Sequence, residues 1–226
     1  NNGTIAFETS YGTINFTAGG ATLNNVTFTH TANSVDTFTF KDNVTIDGNV
    51  TCNNTLASLY VYATGTPTIT IKGNLAITGT STINFGSATG TTNFTANLEG
   101  NFSTANSAAN IYANMNFTKA GDQTLTYSAG NIYATGWTQA KPSGKVNLAS
   151  NFTFTTFTVA NDNYLKIYDP AGTRTVTYTT FTHTGGTFNF EAPYPTTVIG
   201  AYTQSGGTFN APANLIVTGN LIRSGG

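Results

Sequence analysis

Apolar residues alternate with Thr or Asn along many short segments of the chain. Examples are the segments 26–28, 38–40, 69–71, 152–154 and 176–178, in which Thr separates two apolar residues. A period of two places every second side chain on the same face of a strand, so one face is buried and the other meets water. Gly, Asn, Asp and Pro bound these segments, as turn residues do. The pattern predicts short β-strands and turns. For residues 103–116, where Asn and Ser interrupt several Ala, we expect an irregular insertion or a cap-like loop.

The sequence repeats with a period of 20–27 residues. Residues 181–189 (FTHTGGTFN) return one period later as 202–210 (YTQSGGTFN). A second motif, apolar-x-Gly-Asn-apolar, occurs at 46–50, 71–75, 98–102 and 217–221. Its first three copies follow one another at the same period, and the fourth lies about five units further along the chain. A strand-turn unit that recurs without alternating helices is typical of one coil of a β-solenoid.

We therefore predict an all-β fold, a single parallel β-solenoid (β-helix) of about nine or ten coils over residues 1–226. Each motif position then stacks on its copy one coil away, about 4.8 Å along the axis. Stacked Asn and Thr side chains can bond their copies, and rows of Phe and Ile can fill the interior. We expect the Gly-Asn pairs at corners with positive φ. The alternative is a β-sandwich subunit that joins its neighbours into filaments by donated strands.

Composition narrows the class of protein. Charged residues are 8% of the chain, against roughly 25% in an ordinary soluble domain. Thr (47), Asn (28) and Gly (24) supply 99 of the 226 residues, and all three weaken helices. The net charge is −1 and no Lys/Arg cluster exists, which argues against a nucleic-acid partner. No apolar run approaches the roughly 20 residues of a membrane helix, so we expect no membrane insertion.

The polar residues also bear on location. Cys52 is the single cysteine, cannot form an internal disulfide and is expected to fill space in the core. Solubility that rests on Thr, Asn and Ser instead of charge is common outside the cell. We therefore expect a secreted protein, extracellular or on the cell surface.

Three segments resemble a known class of proteins: 202–221 (YTQSGGTFNAPANLIVTGNL), 181–190 (FTHTGGTFNF) and 120–133 (AGDQTLTYSAGNIY). They look like the repetitive regions of large bacterial cell-surface and autotransporter-type, adhesin-like proteins. The resemblance is clearest over residues 120–226 and looser over 1–119. It implies a right-handed parallel β-helix secreted by a prokaryote. Because proteins of this class share no catalytic residues, the resemblance assigns none here.

Ionisable side chains give little sign of catalysis or metal binding. Only three acids lie near one another in the sequence: Asp36, Asp42 and Asp47. We expect them at solvated turns, with a Ca²⁺ site as the alternative. His30 and His183 each occur in Phe-Thr-His-Thr, and Gln204 replaces the His in a third copy, which argues against a metal or catalytic role. We predict no enzyme, no catalytic, metal or cofactor site and no cofactor, with a polysaccharide-cleaving enzyme as the least favoured alternative.

Two sets of residues are candidates for glycan chemistry. Ten Asn-x-Ser/Thr sequons are candidate glycosylation sites: Asn2, Asn15, Asn25, Asn43, Asn49, Asn53, Asn93, Asn101, Asn116 and Asn151. Trp137 and Tyr133 are candidates for stacking on a glycan if their rings face outward, and core packing is the competing interpretation. Dense Thr-x-Thr pairs, as at 64–70 and 173–179, also occur on the ice-binding faces of some solenoids, but here they keep no fixed offset.

The sequence thus favours a structural or adhesive role on a cell surface or in a matrix. An open solenoid exposes unpaired strand edges at its ends unless they are capped. We expect copies of the chain to associate through their end coils into filaments, with glycans as further candidate partners. An ice-binding or glycan-binding solenoid is the alternative function.

Overall fold

The computed structural model describes residues 3–9, 12–30, 35–88, 93–190 and 192–225. Within these ranges the chain forms 24 β-strands and no helix, and accordingly no helix that is long and apolar enough to span a membrane. All pairings between these strands are parallel. The β-sandwich alternative is therefore excluded, because such sandwiches are built from antiparallel sheets.

The first four coils each contribute three strands, which define three lateral faces. The first face contains β1 (Thr4–Thr9), β4 (Asn25–His30), β7 (Val50–Asn54) and β10 (Leu75–Gly79). The second face contains β2 (Gly12–Phe16), β5 (Asp36–Phe40), β8 (Leu59–Ala63) and β11 (Ile83–Phe85). The third face contains β3 (Thr22–Leu23), β6 (Val44–Ile46), β9 (Thr68–Ile71) and β12 (Thr95–Leu98), and continues through β14 (Asn114–Phe117) and β16 (Thr138–Gln139).

In the later coils one long strand runs through both the first and the second face. These strands are β13 (Phe102–Ile111), β15 (Gln123–Ala134), β18 (Phe152–Val159), β19 (Thr175–His183) and β21 (Thr196–Gln204). Shorter strands complete the coils: β17 (Val146–Leu148), β23 (Leu215–Val217), β24 (Leu221–Arg223) and the separate pair β20 (Thr187–Asn189) and β22 (Thr208–Asn210).

The register gives the length of each coil. Leu75 pairs with Val50 in the coil before it and with Phe102 in the coil after it. The shortest step joins Thr197 to Leu215. The chain makes about nine turns, which spans about 43 Å at the spacing of paired strands. The predicted β-solenoid is confirmed, and its shortest coil lies just below the predicted period.

The interior consists of like side chains stacked on one another. Phe157 stacks on Phe181 with ring centroids 5.5 Å apart, and Phe181 stacks on Tyr202 at 5.3 Å. Phe181 and Tyr202 hold equivalent places in the two copies of the nine-residue repeat, which lie in register. Cys52 is fully buried in this core, and burial raises the pKa of its thiol. It fills space, as expected.

The Gly-Asn motif forms one corner of the solenoid, between the third and the first face. A Cβ added to Gly73 would lie 2.5 Å from the carbonyl carbon and oxygen of Gly48 in the adjacent coil. Gly100 approaches Gly73 in the same way. None of these three glycines has a positive φ. The expected conformational reason is therefore wrong here: Gly is required because adjacent backbones approach too closely for a side chain.

Asn residues at the same corner bond the next coil. Asn25 Oδ1 accepts a hydrogen bond from the Asn49 backbone N–H, Asn49 Oδ1 from Asn74, and Asn74 Oδ1 from Asn101, each at 2.8 Å. Asn101 Oδ1 continues the series to the Thr124 N–H at 2.8 Å. These side chains satisfy backbone donors that a corner would otherwise leave without a ladder partner. We refer to this corner, with its glycines and asparagines, as the Gly-Asn corner.

Residues 103–116 form neither an insertion nor a cap-like loop, so that expectation is wrong. They belong to β13 and β14, apart from residues 112 and 113 between the two strands. The pairing of β13 with β15 shifts in register between Thr104 and Asn110, which turns the chain from the first face to the second. Asn106 is buried at this bend, where its Nδ2 donates to the carbonyls of Thr78 (3.2 Å) and Ser81 (2.8 Å).

Candidate functional site

The three neighbouring acids do not converge on a site. Asp36 is buried and its Oδ1 accepts from the Gly12 N–H at 2.9 Å. The two carboxylate oxygens of Asp42 accept from successive backbone N–H groups, at residues 18 and 19, each at 2.7 Å. Asp47 forms an exposed salt bridge with Lys72 at 2.6 Å. In the part of the chain that the structure describes, no three His, Cys, Asp or Glu side chains are grouped as a metal site would require.

His183 has a structural environment. It is fully buried, and its Nε2 lies 3.2 Å from the Gly186 carbonyl oxygen. Gln204, which pairs with His183 in the next coil, donates from Nε2 to the Gly207 carbonyl at 2.7 Å. Each side chain therefore bonds the equivalent turn of its own coil, three residues further along, which explains why Gln replaces His in the repeat. The side chain of His30 lies outside the described part of the structure.

Sequence reasoning missed Gln123, which ends the glycine column of the corner. Its side chain is fully buried beside Gly100. Nε2 donates to the carbonyls of Leu98 (2.8 Å) and Gly100 (2.6 Å), and Oε1 accepts from Lys141 Nζ at 2.6 Å. Burial lowers the pKa of Lys141, opposed by the charge of Asp122. This cluster holds adjacent coils together.

The candidate glycosylation sites are distributed over the solenoid. Six are exposed: Asn15, Asn43, Asn49, Asn53, Asn101 and Asn151. Three are half-buried: Asn25, Asn93 and Asn116. Asn2 lies outside the described residues. Several of these side chains also bond an adjacent backbone, as Asn151 Oδ1 does to the Thr175 N–H at 2.9 Å.

The two aromatic candidates for glycan stacking differ in exposure. Trp137 is only 1% exposed. Its ring packs against Phe102 (5.6 Å) and Phe154 (5.6 Å), and its Nε1 donates to the Ala113 carbonyl at 3.2 Å. Trp137 therefore has no free ring face: it packs in the core, which was the competing interpretation, and it is no longer a candidate for stacking on a glycan. Tyr133 is half-buried on the second lateral face.

Tyr133 belongs to a group of four outward tyrosines on that face. We name this group the tyrosine strip: Tyr60, Tyr62, Tyr112 and Tyr133, all half-buried. Tyr60 and Tyr62 are parallel, with ring centroids 5.4 Å apart. Tyr112 and Tyr133 stack at 4.5 Å. Burial raises the pKa of Tyr112, and the nearby Tyr133 and Tyr62 raise it further.

A glycine separates the two pairs. Phe85 pairs with Val61 on one side and Ile111 on the other, so the next residue, Gly86, lies between Tyr62 and Tyr112. Gly86 has no side chain to fill this position. Its φ is +97°, and an added Cβ would meet the backbone of the adjacent coil. Both constraints favour glycine at this position, so the column has no ring here.

An amide ladder runs beside the strip in the adjacent column of the same face. Asn110 Nδ2 donates to Asn84 Oδ1 at 2.9 Å, and Asn131 Nδ2 donates to Asn110 Oδ1 at 3.1 Å. These residues pair in register in consecutive coils, and Asn84 pairs with Tyr60 in the coil before. The predicted bonding of stacked Asn side chains is confirmed here.

Thr and Asn also form a column on the third face. Its members are Thr22, Thr45, Thr70, Asn97, Asn116 and Thr138. The last three bond one another along the axis, from Asn116 Nδ2 to Asn97 Oδ1 and from Thr138 Oγ1 to Asn116 Oδ1, each at 3.0 Å. The column therefore mixes two residue types, and part of its hydrogen-bonding capacity is used between coils.

A cavity of about 310 Å³ opens at the carboxyl-terminal coil. Its walls include Ile199, Tyr202, Phe209, Val217 and Leu221. A second cavity, of about 360 Å³, adjoins the tyrosine strip. Comparison of this chain with models of protein families, with curated protein sequences and with solved structures gave no match.

Proposed function

We propose that this chain is an extracellular structural and adhesive solenoid of a prokaryotic cell surface or matrix, and that copies stack end to end into filaments. The observation that carries the proposal is the state of the last coil. Val217 and Leu221 pair with the buried residues Ile199 and Tyr202, yet they are 37% and 64% exposed. They hold core positions that a further layer of strand would cover.

The first coil presents matching rows. Ile5 and Phe7 pair with the buried residues Val26 and Phe28, and Ile5 is 38% exposed. Each end coil thus offers a parallel strand edge together with an apolar row, and such edges readily pair with another chain. Contact between the last coil of one copy and the first coil of another is head-to-tail, so it repeats without closing and produces a filament.

The lateral surface supports a structural and adhesive role over a catalytic one. Asp36, Asp42 and His183, which could serve chemistry, instead bond the backbone of their own or adjacent coils. The outward positions of the strands are mostly Thr and Asn. A repeated, mostly uncharged polar surface provides many weak contacts, whose combined avidity grows when copies assemble.

The test is the association state of the 226-residue polypeptide. We expect sedimentation velocity to show association that increases with protein concentration, and electron microscopy to show thin filaments. Leu221→Lys places a charge in the apolar row and should abolish association. Val35→Lys is the matched control, because Val35 is an exposed aliphatic residue (56%) outside the end coils. A monomer at every concentration, or association unaffected by Leu221→Lys, would contradict end-to-end stacking.

A further inference from the structure

The tyrosine strip is not explained by the stability of the core. Its rings lie on the outer side of the second face, where the equivalent positions of other coils carry small polar residues. Thr39 precedes Tyr62 in the column, and Thr156 follows Tyr133. Large, partly exposed aromatic rings grouped over four coils present apolar surface to solvent, which proteins usually reserve for a ligand or partner.

The chemistry of the surface fits a sugar. An aromatic ring offers a flat apolar face, and its tyrosine hydroxyl offers a polar group at the edge. A sugar ring has the complementary structure, with C–H groups on its faces and hydroxyls around its rim. Gly86, which is buried, lies between Tyr62 and Tyr112 in register and contributes no side chain to this column.

The amide ladder supplies hydrogen bonds beside the rings. A primary amide has two donor hydrogens and two acceptor lone pairs. Asn110 uses one donor and one acceptor in the ladder, which leaves one of each for hydroxyl groups. The ladder repeats once per coil, at about 4.8 Å. A linear polysaccharide lying along the axis therefore meets an amide donor and an amide acceptor in each of these coils.

The charge of the surface selects among sugars. The two outward columns of this face contain only Thr, Asn, Tyr and Gly from β5 to the far end of β15. Because no cationic side chain stands in these columns, nothing in them pairs with the carboxylates or sulfates of an acidic polysaccharide. The adjoining cavity of about 360 Å³ is also lined by uncharged residues: Ser87, Ala88, Asn93, Thr135 and Thr156, besides Tyr112 and Tyr133.

We propose that the tyrosine strip and the amide ladder together bind a neutral, linear polysaccharide along the axis of the solenoid. The Tyr rings stack on sugar rings, and the free donors and acceptors of Asn84, Asn110 and Asn131 bond their hydroxyls. The inference rests on the adhesive part of the proposed function and is independent of end-to-end association, because the strip lies on a lateral face.

The test is affinity electrophoresis of the 226-residue polypeptide in native gels. The gels contain hydroxyethyl cellulose, xyloglucan, galactomannan or dextran as neutral probes, and pectate as the anionic control. We expect at least one neutral polysaccharide to retard the protein, and pectate not to. Tyr112→Ala and Tyr133→Ala should each weaken binding about 2- to 12-fold, which corresponds to the usual strength of one aromatic contact. Tyr112→Phe keeps the ring and should retain most of the binding.

Tyr168→Ala is the matched control. Tyr168 is also half-buried, but it lies under Lys145, whose Nζ is 3.9 Å from the ring centroid, away from the strip. Circular dichroism confirms that each variant is folded, and sedimentation velocity on the same samples reports association separately. The proposal is overturned if none of the four neutral probes retards the protein, or if Tyr112→Ala and Tyr133→Ala behave like Tyr168→Ala. It is also overturned if these variants abolish self-association without changing retardation, since the strip is then a contact between copies.

Discussion

Replacing Gly73 with alanine tests whether close approach of backbones determines the Gly-Asn corner. The added Cβ would lie 2.5 Å from the carbonyl carbon and oxygen of Gly48 and 2.7 Å from Asn49 Oδ1. Since a Cβ is essentially never found within 3.0 Å of a heavy atom outside its own residue and that residue's chain neighbours, the two coils must move apart locally. Two of the three atoms belong to the backbone, so rotation of a side chain cannot relieve the contact.

The separation also weakens bonds between the coils. The Gly73 N–H donates to the Gly48 carbonyl at 3.0 Å, and the Asn74 N–H donates to Asn49 Oδ1 at 2.8 Å. Overpacking costs about 1–3 kcal/mol, and weakening two hydrogen bonds adds about 1 kcal/mol. We therefore expect Gly73→Ala to lower the free energy of unfolding by about 2–4 kcal/mol, a large part of the stability of a typical domain.

Two other glycines distinguish the effect of steric crowding from the effect of backbone conformation. Gly65 has a φ of +75° and nothing within 4 Å of an added Cβ, so Gly65→Ala should cost about 1–2 kcal/mol through the left-handed backbone alone. Gly3 has open space and no positive φ, so Gly3→Ala should be neutral or stabilise by up to about 1 kcal/mol.

Guanidinium denaturation followed by circular dichroism gives the three free energies. Hydrogen exchange locates the effect, since amides near the corner should exchange faster in Gly73→Ala than in the other two variants. If Gly73→Ala is no more destabilising than Gly65→Ala, the steric explanation of the corner is wrong.

Two further predictions concern buried polar residues. His183→Gln should change the free energy of unfolding by less than about 1 kcal/mol, because glutamine can still donate to the Gly186 carbonyl, whereas His183→Leu should cost about 1–3 kcal/mol; equal losses in chemical denaturation would contradict this. Burial alone would raise the pKa of Asp169, but hydrogen bonds from backbone N–H groups and from Arg174, together with the charge of Arg174, outweigh it and hold that pKa below its usual value. The stability from this ionised carboxylate is therefore complete above the ordinary pKa, near 4, and is lost as the pH falls through the lowered pKa. Thermal melting between pH 7 and pH 2.5 should show a weaker acid dependence for Asp169→Asn than for the unsubstituted protein, and identical slopes would refute the assignment.

The fold was predictable because stacking requires similar side chains at equivalent positions of successive coils. The repeat at 181–189 and 202–210 predicted both the coil and its register, and the structure pairs Phe181 with Tyr202 and Phe188 with Phe209. A core row tolerates exchange between similar rings, but a shift by one residue would turn every side chain to the opposite face. Repetition in the sequence therefore carries the register directly.

The same reasoning failed where one motif forms two different corners of the solenoid. Gly219 does not continue the column of Gly48, Gly73 and Gly100, because an added Cβ there would meet the backbone of Gly200 in β21. It lies between β23 and β24, at the corner where the first face turns into the second. Adjacent backbones can approach closely at any tight corner. The motif therefore predicts a corner, but it does not show which corner of the coil it forms.

The prediction for residues 103–116 was wrong for a different reason: the hydrogen-bond partners of a polar residue there lie far away in the sequence. Asn106 suggested a loop, but its partners Thr78 and Ser81 lie 28 and 25 residues earlier in the chain. Conformational propensities of neighbouring residues cannot reveal a partner so far away in the sequence. Only the coil length, applied position by position, shows that a buried amide at this bend can meet a carbonyl of the coil before.

The candidate site shows what coil length adds to composition. Tyr60 and Tyr62 are two residues apart on one strand, so their shared face could be predicted from the sequence alone. Tyr112 and Tyr133 are separated by the same length of chain as Asn110 and Asn131, which pair in adjacent coils, and this second relation was missed. Trp137 is the single tryptophan, yet strand parity places it inside: the register that pairs Asn116 with Thr138 aligns Trp137 with the buried Met115. In a solenoid, parity within the strand and offset between coils together determine which aromatic rings can meet a ligand, and the rarity of a residue type determines neither.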